Sequence, residues 1–175
     1  MLNTNARRVG VFIDVQNMYY SARNLFQKKV NFPAIVEHVV GDQQLIRTMA
    51  YTISTEGGDE EAFFEALEKN GIEVISKDLL EYESGAKKGD WDVGITIDII
   101  RSLPMLDVIV LVSGDGDFVP LADHVRAQGR IFHVASFRES TSSTLVDAAD
   151  IYTNLSADKK FLIGTRKRPT AKKKK

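Results

Sequence analysis

Asp115 and Asp117 stand one residue apart at the end of an apolar run, in the stretch VLVSGDGDFVPL (110–121). Two carboxylates this close repel each other, and a bound divalent cation would remove that repulsion by favouring the charged form of each acid. Gly114 and Gly116 alternate with the two acids, and we expect them to adopt backbone angles that other residues avoid, so that both carboxylates point inward. Helix N-capping is an alternative role for Asp117, whereas Asp115 occupies neither a cap nor a turn position that needs an acid. The stretch therefore predicts a cation site.

Further acids stand where they could join this pair. Asp14 ends the apolar run VFID, and Asp90 and Asp92 precede a helical pattern in KKGDWDVGITID (87–98). Asp92 could cap that helix and also point into the same crevice from its N-terminus, where phosphate groups are favoured as well. Lys88 could stabilise a phosphate charge or be a solvated loop lysine. Asp98 lies on another side of the helix, which suggests an exposed acid or a partner for Arg101.

The elements that must position these acids alternate between strand and helix. Apolar strands separated by helices predict a parallel sheet covered on both faces, with ligands bound at the carboxyl ends of its strands. If the first and fourth strands are neighbours, Asp14, Asp115 and Asp117 share one crevice. The predicted strands are 8–15, 44–54, 72–82, 106–114, 130–137 and 151–155. The predicted helices are 17–28, 32–41 (closed by Gly41), 58–71 (from Asp59 to Gly71), 92–104 (with Val93, Ile97, Ile100 and Leu103 at helical spacing), 118–129 and 141–150, with a polar loop at 83–90.

Composition excludes several kinds of site. The 175 residues contain no cysteine and only three histidines, so thiolate chemistry is excluded and a histidine-built zinc site is disfavoured. Any metal would be held by oxygen, which favours Mg²⁺ or Mn²⁺. Because no apolar stretch approaches the length of a membrane span and the N-terminus does not resemble a signal peptide, we expect a cytoplasmic protein.

Charge is distributed unevenly along the chain. Residues 166–175 (RKRPTAKKKK) carry seven basic residues, which leaves 16 basic against 24 acidic residues in the rest, a net charge of −8. A basic arm could grip a polyanion, or the segment could simply be a solvated end. We predict one domain over residues 1–162 and a basic, disordered tail over 163–175.

The motifs VFIDVQN, KKGDWDVGITID and LVSGDGDF, followed by STSSTLVDAADIYTNL (140–155), resemble the NYN domain of the LabA-like group, within the PIN-like nuclease superfamily. The resemblance spans about residues 8–156. It implies a three-layer α/β/α fold with a mainly parallel sheet of order 3-2-1-4-5. It also implies a metal site formed by Asp14, Asp92, Asp115 and Asp117, with Asp90 as a rival of Asp92. Asn17 and Ser113 would then support these ligands or contact substrate.

Together the residues and the resemblance predict a metal-dependent nuclease, with RNA a better candidate substrate than DNA. The four aspartates would hold Mg²⁺ or Mn²⁺ and carry catalysis, and Asn17, Lys88 and Ser113 would bind substrate. Tyr19, Tyr20 and Trp91 could stack on bases, although core packing better explains the two tyrosines. A non-catalytic RNA-binding or regulatory adaptor remains the alternative, and a homodimer stays open. Phosphatase and Toprim patterns fit less well, because they require Asp-x-Asp or Glu where this chain has Asp14 and Gln16.

Overall fold

The computed structural model describes residues 6–54, 60–78, 80–81, 87–88 and 90–164. The side chains of residues 78, 80, 81, 87 and 88 are not described, and the predicted basic segment 166–175 lies outside the described residues. No helix in the described ranges is long and apolar enough to cross a membrane.

The described residues include six parallel strands of a central sheet. They are β1 (Arg8–Asp14), β2 (Gln44–Ser54), β3 (Glu73–Asp78), β4 (Val108–Val112), β5 (Ile131–Ser136) and β6 (Ile151–Asn154). Their order in the sheet is β3-β2-β1-β4-β5-β6. The predicted order 3-2-1-4-5 is therefore confirmed, and the last strand is added beyond β5.

In the described ranges, six α-helices connect the strands, close to the predicted positions. Gly41, Gly71 and Gly129 follow helical segments with φ values of 53°, 75° and 72°, as expected where a chain leaves a helix. The helices are α1 (Val15–Phe26), α2 (Phe32–Val40), α3 (Glu61–Glu68), α4 (Asp92–Ser102), α5 (Val119–Ala127) and α6 (Ser143–Ala148).

Two apolar cores cover the two faces of the sheet, so the fold has three layers. Alternate residues of β1 face opposite ways: Val11 packs with α1, α2 and α3, and Phe12 packs with α4, α5 and α6. The central strand β4 is buried along its whole length, as its continuous apolar run predicts. The helices that connect β1, β2 and β3 therefore lie on one face of the sheet, and the helices that lead to β4, β5 and β6 lie on the other. This change of face opens a crevice between β1 and β4.

Two short antiparallel pairs lie outside the central sheet: Lys29–Val30 with Leu162–Ile163, and Leu80–Glu81 with Lys87–Lys88. The second pair corrects the predicted single strand 72–82 and polar loop 83–90, because the third strand ends at Asp78 and the chain then forms a small hairpin. The hairpin leads into Asp92, which begins α4.

Helix α4 buries a different stripe from the one whose spacing predicts it. Ile95 and Ile99 are fully buried, whereas Val93 is 69% exposed and Ile97 and Ile100 are also exposed. Apolar residues surround most of this helix, so their spacing predicts a helix without fixing which side faces the sheet. Asp98 receives a hydrogen bond from the buried Tyr51 hydroxyl (3.0 Å) and forms an ion pair with Arg101 (3.9 Å), the partner the sequence suggested.

Candidate metal centre and cleft

A cleft of about 380 Å³ lies beyond the carboxyl ends of β1 and β4. The two strands are hydrogen-bonded neighbours, with Ile13 paired to Val112, so the residues that follow them come together as predicted. Residues from α1, the start of α4 and the segments after β4 and β5 form its walls. They are Asp14, Gln16, Asn17, Tyr20, Ser21, Asn24, Leu25, Asp90, Trp91, Asp92, Asp115 and Ser140.

Asp14 is both the last residue of β1 and the N-cap of α1. Its Oδ1 accepts the backbone N–H of Asn17 (3.1 Å), and its Oδ2 accepts the hydroxyl of Ser113 (3.1 Å). Only 8% of Asp14 is exposed. Burial raises the pKa of this carboxyl, the two hydrogen bonds lower it, and the charges of Asp115 and Asp90 raise it further. Asp14 therefore faces the cleft as a buried acid whose charge is costly without a countercharge.

The segment that follows β4, which we call the β4 loop (residues 113–117), is fastened to the start of α1. The side-chain oxygen of Asn17 accepts the backbone N–H of Gly114 (3.0 Å), and the hydroxyl of Ser113 accepts that of Asp115 (3.2 Å). Ser113 is fully buried, so its contacts are with the carboxylate network, whereas Asn17 also lines the cleft. Both residues predicted to support the acids or contact substrate thus lie in supporting positions.

The glycines of the β4 loop are required by close packing, and the prediction of unusual backbone angles for them is wrong. Neither Gly114 nor Gly116 has a positive φ. A Cβ on Gly114 would lie 3.0 Å from the carbonyl oxygen of Ser140, and one on Gly116 would lie 2.8 Å from the hydroxyl of Ser142. Ser142 also donates its backbone N–H to the Gly114 carbonyl (3.0 Å), which holds the polar segment after β5 against the loop.

The capping roles of the two loop acids are the reverse of the prediction. Asp115 accepts the backbone N–H of Asp117 (3.0 Å) and caps the short 3₁₀ turn Gly116–Phe118, while Phe118 occupies the N-cap of α5. Asp117 is exposed and makes no cap. Within the described part of the chain, the second carboxylate oxygen of Asp115 and both oxygens of Asp117 have no hydrogen-bond or ion-pair partner.

Asp92 completes a group of three carboxylates. One carboxylate oxygen from each of Asp92, Asp115 and Asp117 lies within 4.8 Å of the others. Burial raises the pKa of Asp92 to about 6, and the negative charges of Asp115, Asp14, Asp90 and Asp117 raise it as well. Asp92 rather than its rival Asp90 therefore belongs to the group, while Asp90 and Asp14 line the same cleft beside it.

The segment that positions Asp92, the α4 entry (residues 90–92), is anchored by an aromatic side chain. Trp91 donates its indole N–H to the Thr52 carbonyl (2.6 Å) and packs against the Tyr51 ring at a centroid distance of 5.4 Å. Lys77 lies over the Trp91 ring at 4.5 Å and donates a hydrogen bond to the Asp90 carbonyl. Trp91 is therefore occupied in holding this segment, although stacking on bases was considered for it.

The donor set fits a hard divalent cation. Carboxylate oxygens are the ligands that Mg²⁺ and Mn²⁺ prefer, and three of them converge here from two separate parts of the chain. Among the described residues, no ion pair includes Asp14, Asp90, Asp92, Asp115 or Asp117. A cation at this position would relieve the repulsion that raises the pKa of Asp92.

The wall formed by α1 contributes residues that were not predicted as site residues. Asn24 and Ser21 line the cleft together with Tyr20, which is 51% exposed rather than part of the core. Their positions follow from Asn17 by steps of three and four, so helical periodicity from that residue could have found them. Tyr19 is also exposed but does not line the cleft, and the side chain of Lys88 lies outside what the structure describes.

The chain and its fold are similar to those of known proteins. The chain is 27% identical, over 175 aligned residues, to the low amplitude and bright protein LabA of Synechococcus elongatus, covering 91% of this chain and 90% of that protein. Its fold is similar to the crystal structure of VPA0982, a protein of unknown function from Vibrio parahaemolyticus. That similarity has a TM-score of 0.84 and 31% sequence identity, and covers 93% of this chain and 100% of the other. The family model for the NYN domain matches residues 8–156, a range that includes every residue lining the cleft. The chain therefore belongs to the NYN domain family.

Proposed function

We propose that this protein is a metal-dependent nuclease that hydrolyses phosphodiester bonds, with RNA as its substrate. One observation carries the proposal: Asp92, Asp115 and Asp117 converge within 4.8 Å at the edge of a cleft, without a basic partner among the described residues. A structural cluster of acids would normally be neutralised by lysine or arginine, whereas a cation-binding cluster leaves its oxygens open. Membership of the NYN domain family supports the assignment to nucleases.

Each acid has a distinct position in this proposal. Asp92, Asp115 and Asp117 would hold Mg²⁺ or Mn²⁺, and Asp14 would add a fourth negative charge from the buried side of the cleft. A divalent cation held there would supply an activated water and would neutralise charge on the scissile phosphate. Ser113 and Asn17 fix the β4 loop so that Asp115 keeps its orientation. The described chemistry needs no side-chain nucleophile.

The direct test is a cleavage assay on single-stranded RNA and DNA with Mg²⁺ or Mn²⁺, comparing wild-type protein with Asp115→Asn. Asparagine retains an oxygen that can accept the Asp117 N–H, so the turn should persist while the negative charge is lost. We expect cleavage to fall by more than about 100-fold, because even the outer partners of metal ligands typically contribute 10- to 100-fold.

Asp123→Asn is the matched control, since Asp123 is an exposed acid on α5 outside the cleft. It should cleave at the wild-type rate. If wild-type protein is inert on RNA and DNA with either cation, the catalytic proposal fails and a non-catalytic RNA-binding adaptor becomes the better description. Unchanged cleavage by Asp115→Asn would remove the carboxylate group from the mechanism.

A further inference from the structure

One wall of the cleft is formed by a face of α1 whose lining side chains are uncharged. Asn17, Tyr20 and Asn24 follow one another at helical spacing along this face, and all three line the cleft. At 1.5 Å per residue, the row runs for about 10 Å from the carboxylates along the helix axis. Among the described side chains, no lysine or arginine lines the cleft. Whatever binds along this wall is therefore held by contacts other than ion pairs.

Tyr20 is unusual for an aromatic residue in this fold. With 51% of its surface exposed, it is the most exposed aromatic side chain among the described residues. Its ring meets that of Tyr19 at a centroid distance of 5.6 Å with the ring planes at 74°, so the two rings are not stacked face to face. Within the described part of the chain, neither the Tyr20 hydroxyl nor the Asn24 amide has a hydrogen-bond partner. Both groups are thus available at the cleft wall.

These features match the way proteins hold an unpaired nucleotide. Aromatic rings stack on exposed bases, and amide side chains form paired hydrogen bonds with base edges. A cleft of about 380 Å³ lies at the lower end of the range for small-molecule sites, a size that suits one nucleotide. The carboxylates of the same cleft repel phosphate groups in the absence of a cation, so contacts along α1 would add attraction that does not depend on charge.

We propose that Tyr20 is a stacking platform for an unpaired base of a single-stranded nucleic acid, and that Asn24 hydrogen-bonds to the edge of that base. The inference rests on the proposed function, because the base belongs to the nucleotide whose phosphate faces the carboxylates. It adds a substrate-binding subsite and predicts a preference for single strands over duplexes. Since stacking tolerates every base, the Tyr20 contact selects for unpaired structure, and any sequence preference arises at Asn24.

The test is a binding titration by fluorescence anisotropy, using full-length protein in Ca²⁺ and end-labelled ten-nucleotide oligoadenylate, oligouridylate and a blunt RNA duplex. The labelled strands are checked for integrity by gel. Tyr20→Ala should weaken binding of the single strands by about tenfold or more, within the range measured for loss of one base–aromatic stack. Tyr20→Phe keeps the ring and should bind within about twofold of wild type. Duplex binding should be weaker and should not depend on Tyr20.

Tyr19→Ala is the matched control, because it removes a neighbouring exposed tyrosine that does not line the cleft. It should have a much smaller effect than Tyr20→Ala, and the melting temperature of each variant shows that it is folded. An oligomer of abasic ribose phosphates gives a second readout. Since it has no base to stack, wild-type protein and Tyr20→Ala should bind it equally.

Several results would overturn the inference: equal binding of oligoadenylate by wild type and Tyr20→Ala, an equal loss in Tyr19→Ala, or a Tyr20 effect that persists with the abasic oligomer. Failure of the proposed function looks different. If single strands bind in a Tyr20-dependent manner but are not cleaved in Mg²⁺ or Mn²⁺, the subsite stands and the nuclease does not. If cleavage occurs with no Tyr20 dependence of binding, the nuclease stands and the subsite does not.

Discussion

The group of three carboxylates comes from two parts of the chain, and the two parts are fixed by different means. The β4 loop is tied to β1, to α1 and to the segment after β5 by hydrogen bonds that involve Asp14, Asn17, Ser113 and Ser142. The α4 entry is held instead by the side chain of Trp91 and by Lys77. The β4 loop is thus hydrogen-bonded to several elements of the fold, whereas the α4 entry is held by the contacts of two side chains.

This difference has a consequence for metal binding. A cation-binding site gains affinity when its ligands are held in place before the ion arrives, and loses it when ordering must accompany binding. Asp115 and Asp117 lie in the β4 loop, which is held in place without the ion, whereas Asp92 depends on the position of the α4 entry. We therefore expect a substitution in the β4 loop to lower mainly the stability of the protein. A substitution in the α4 entry should lower mainly its affinity for metal.

The largest effect should come from Gly114→Ala in the β4 loop. The added Cβ would lie 3.0 Å from the Ser140 carbonyl oxygen and 3.1 Å from the Thr141 Cα, and these backbone atoms cannot move aside as a side-chain tip can. We expect a loss of about 1–3 kcal/mol in the free energy of unfolding, as in other overpacked sites, together with loss of metal-dependent cleavage. Chemical denaturation measures the first and the oligonucleotide assay the second.

Gly164→Ala is the control for this substitution, because a Cβ at Gly164 meets nothing within 4 Å and the φ there is not positive. It should leave both measurements unchanged. If Gly114→Ala were as stable as wild type, the segment after β5 would have moved to make room for the added Cβ. The β4 loop would then be less rigidly held than the contacts indicate.

An intermediate effect is expected from Asp92→Asn in the absence of metal. The pKa of Asp92 is about 6 in the folded protein, against an ordinary value of 3.8. The folded state therefore retains a proton that the unfolded state releases between these values. The resulting stabilisation is complete below about pH 4 and is lost as the pH rises through about 6. The amide of Asp92→Asn does not titrate, so the variant has no such stabilisation to lose. Between pH 4 and pH 7, the free energy of unfolding should therefore fall by about 1–2 kcal/mol more for wild-type protein than for the variant.

Denaturation at a series of pH values without divalent cations measures this difference, and Asp123→Asn controls for the removal of one exposed acid. Saturating Mn²⁺ should close the gap, since a cation favours the charged carboxylate. A variant that follows the wild-type pH dependence would show that burial and the neighbouring acids do not raise the pKa of Asp92 as the structure indicates.

The smallest change in stability should come from Trp91→Phe in the α4 entry. Phenylalanine keeps most of the packing but loses the hydrogen bond to the Thr52 carbonyl, at a cost of about 1 kcal/mol. Metal affinity should fall by about tenfold, because the α4 entry loses the contact that orients Asp92. Calorimetric titration with Mn²⁺ measures the affinity.

Tyr152→Phe is a matched control, since it also removes a side-chain hydrogen bond to a backbone carbonyl (Ser136, 3.2 Å) but lies away from the cleft lining. It should cost similar stability and leave metal affinity intact. If both variants bind Mn²⁺ equally well, Trp91 contributes to folding alone, and the contrast between the two sides does not extend to metal binding.

Features that follow from chain order and periodicity could be predicted from the sequence. The alternation of apolar strands and helices predicts a parallel sheet with ligands at its strand ends. The order of its strands comes from the resemblance to the NYN domain, and that order places Asp14 beside the β4 loop. These features depend on residues close together in the chain or on the general rules of parallel sheets, so no knowledge of side-chain packing is needed.

Features that depend on contacts between distant segments could not be predicted. The role of Gly114 is set by Ser140 and Thr141, which no local pattern connects to it. The same holds for the buried side of α4, where the hydrogen bond between Tyr51 and Asp98 helps fix the rotation of a helix that is apolar on most sides. The exposure of Tyr20 likewise follows from the cleft that its helix borders, since tyrosine itself is common in both cores and surfaces.

The direct passage from β1 into α1 restricts how the length of this chain can vary. Asp14 belongs to both elements, so no loop residue between them can absorb an insertion or a deletion. One extra residue would turn the whole helix by about 100° and would move Asn17, Tyr20 and Asn24 away from the carboxylates together. By contrast, the turn between α2 and β2 could lengthen without changing the cleft, because its residues do not line it. Insertions compatible with the activity should therefore collect at such turns, and the distance from Asp14 to Asn24 should stay fixed at ten residues.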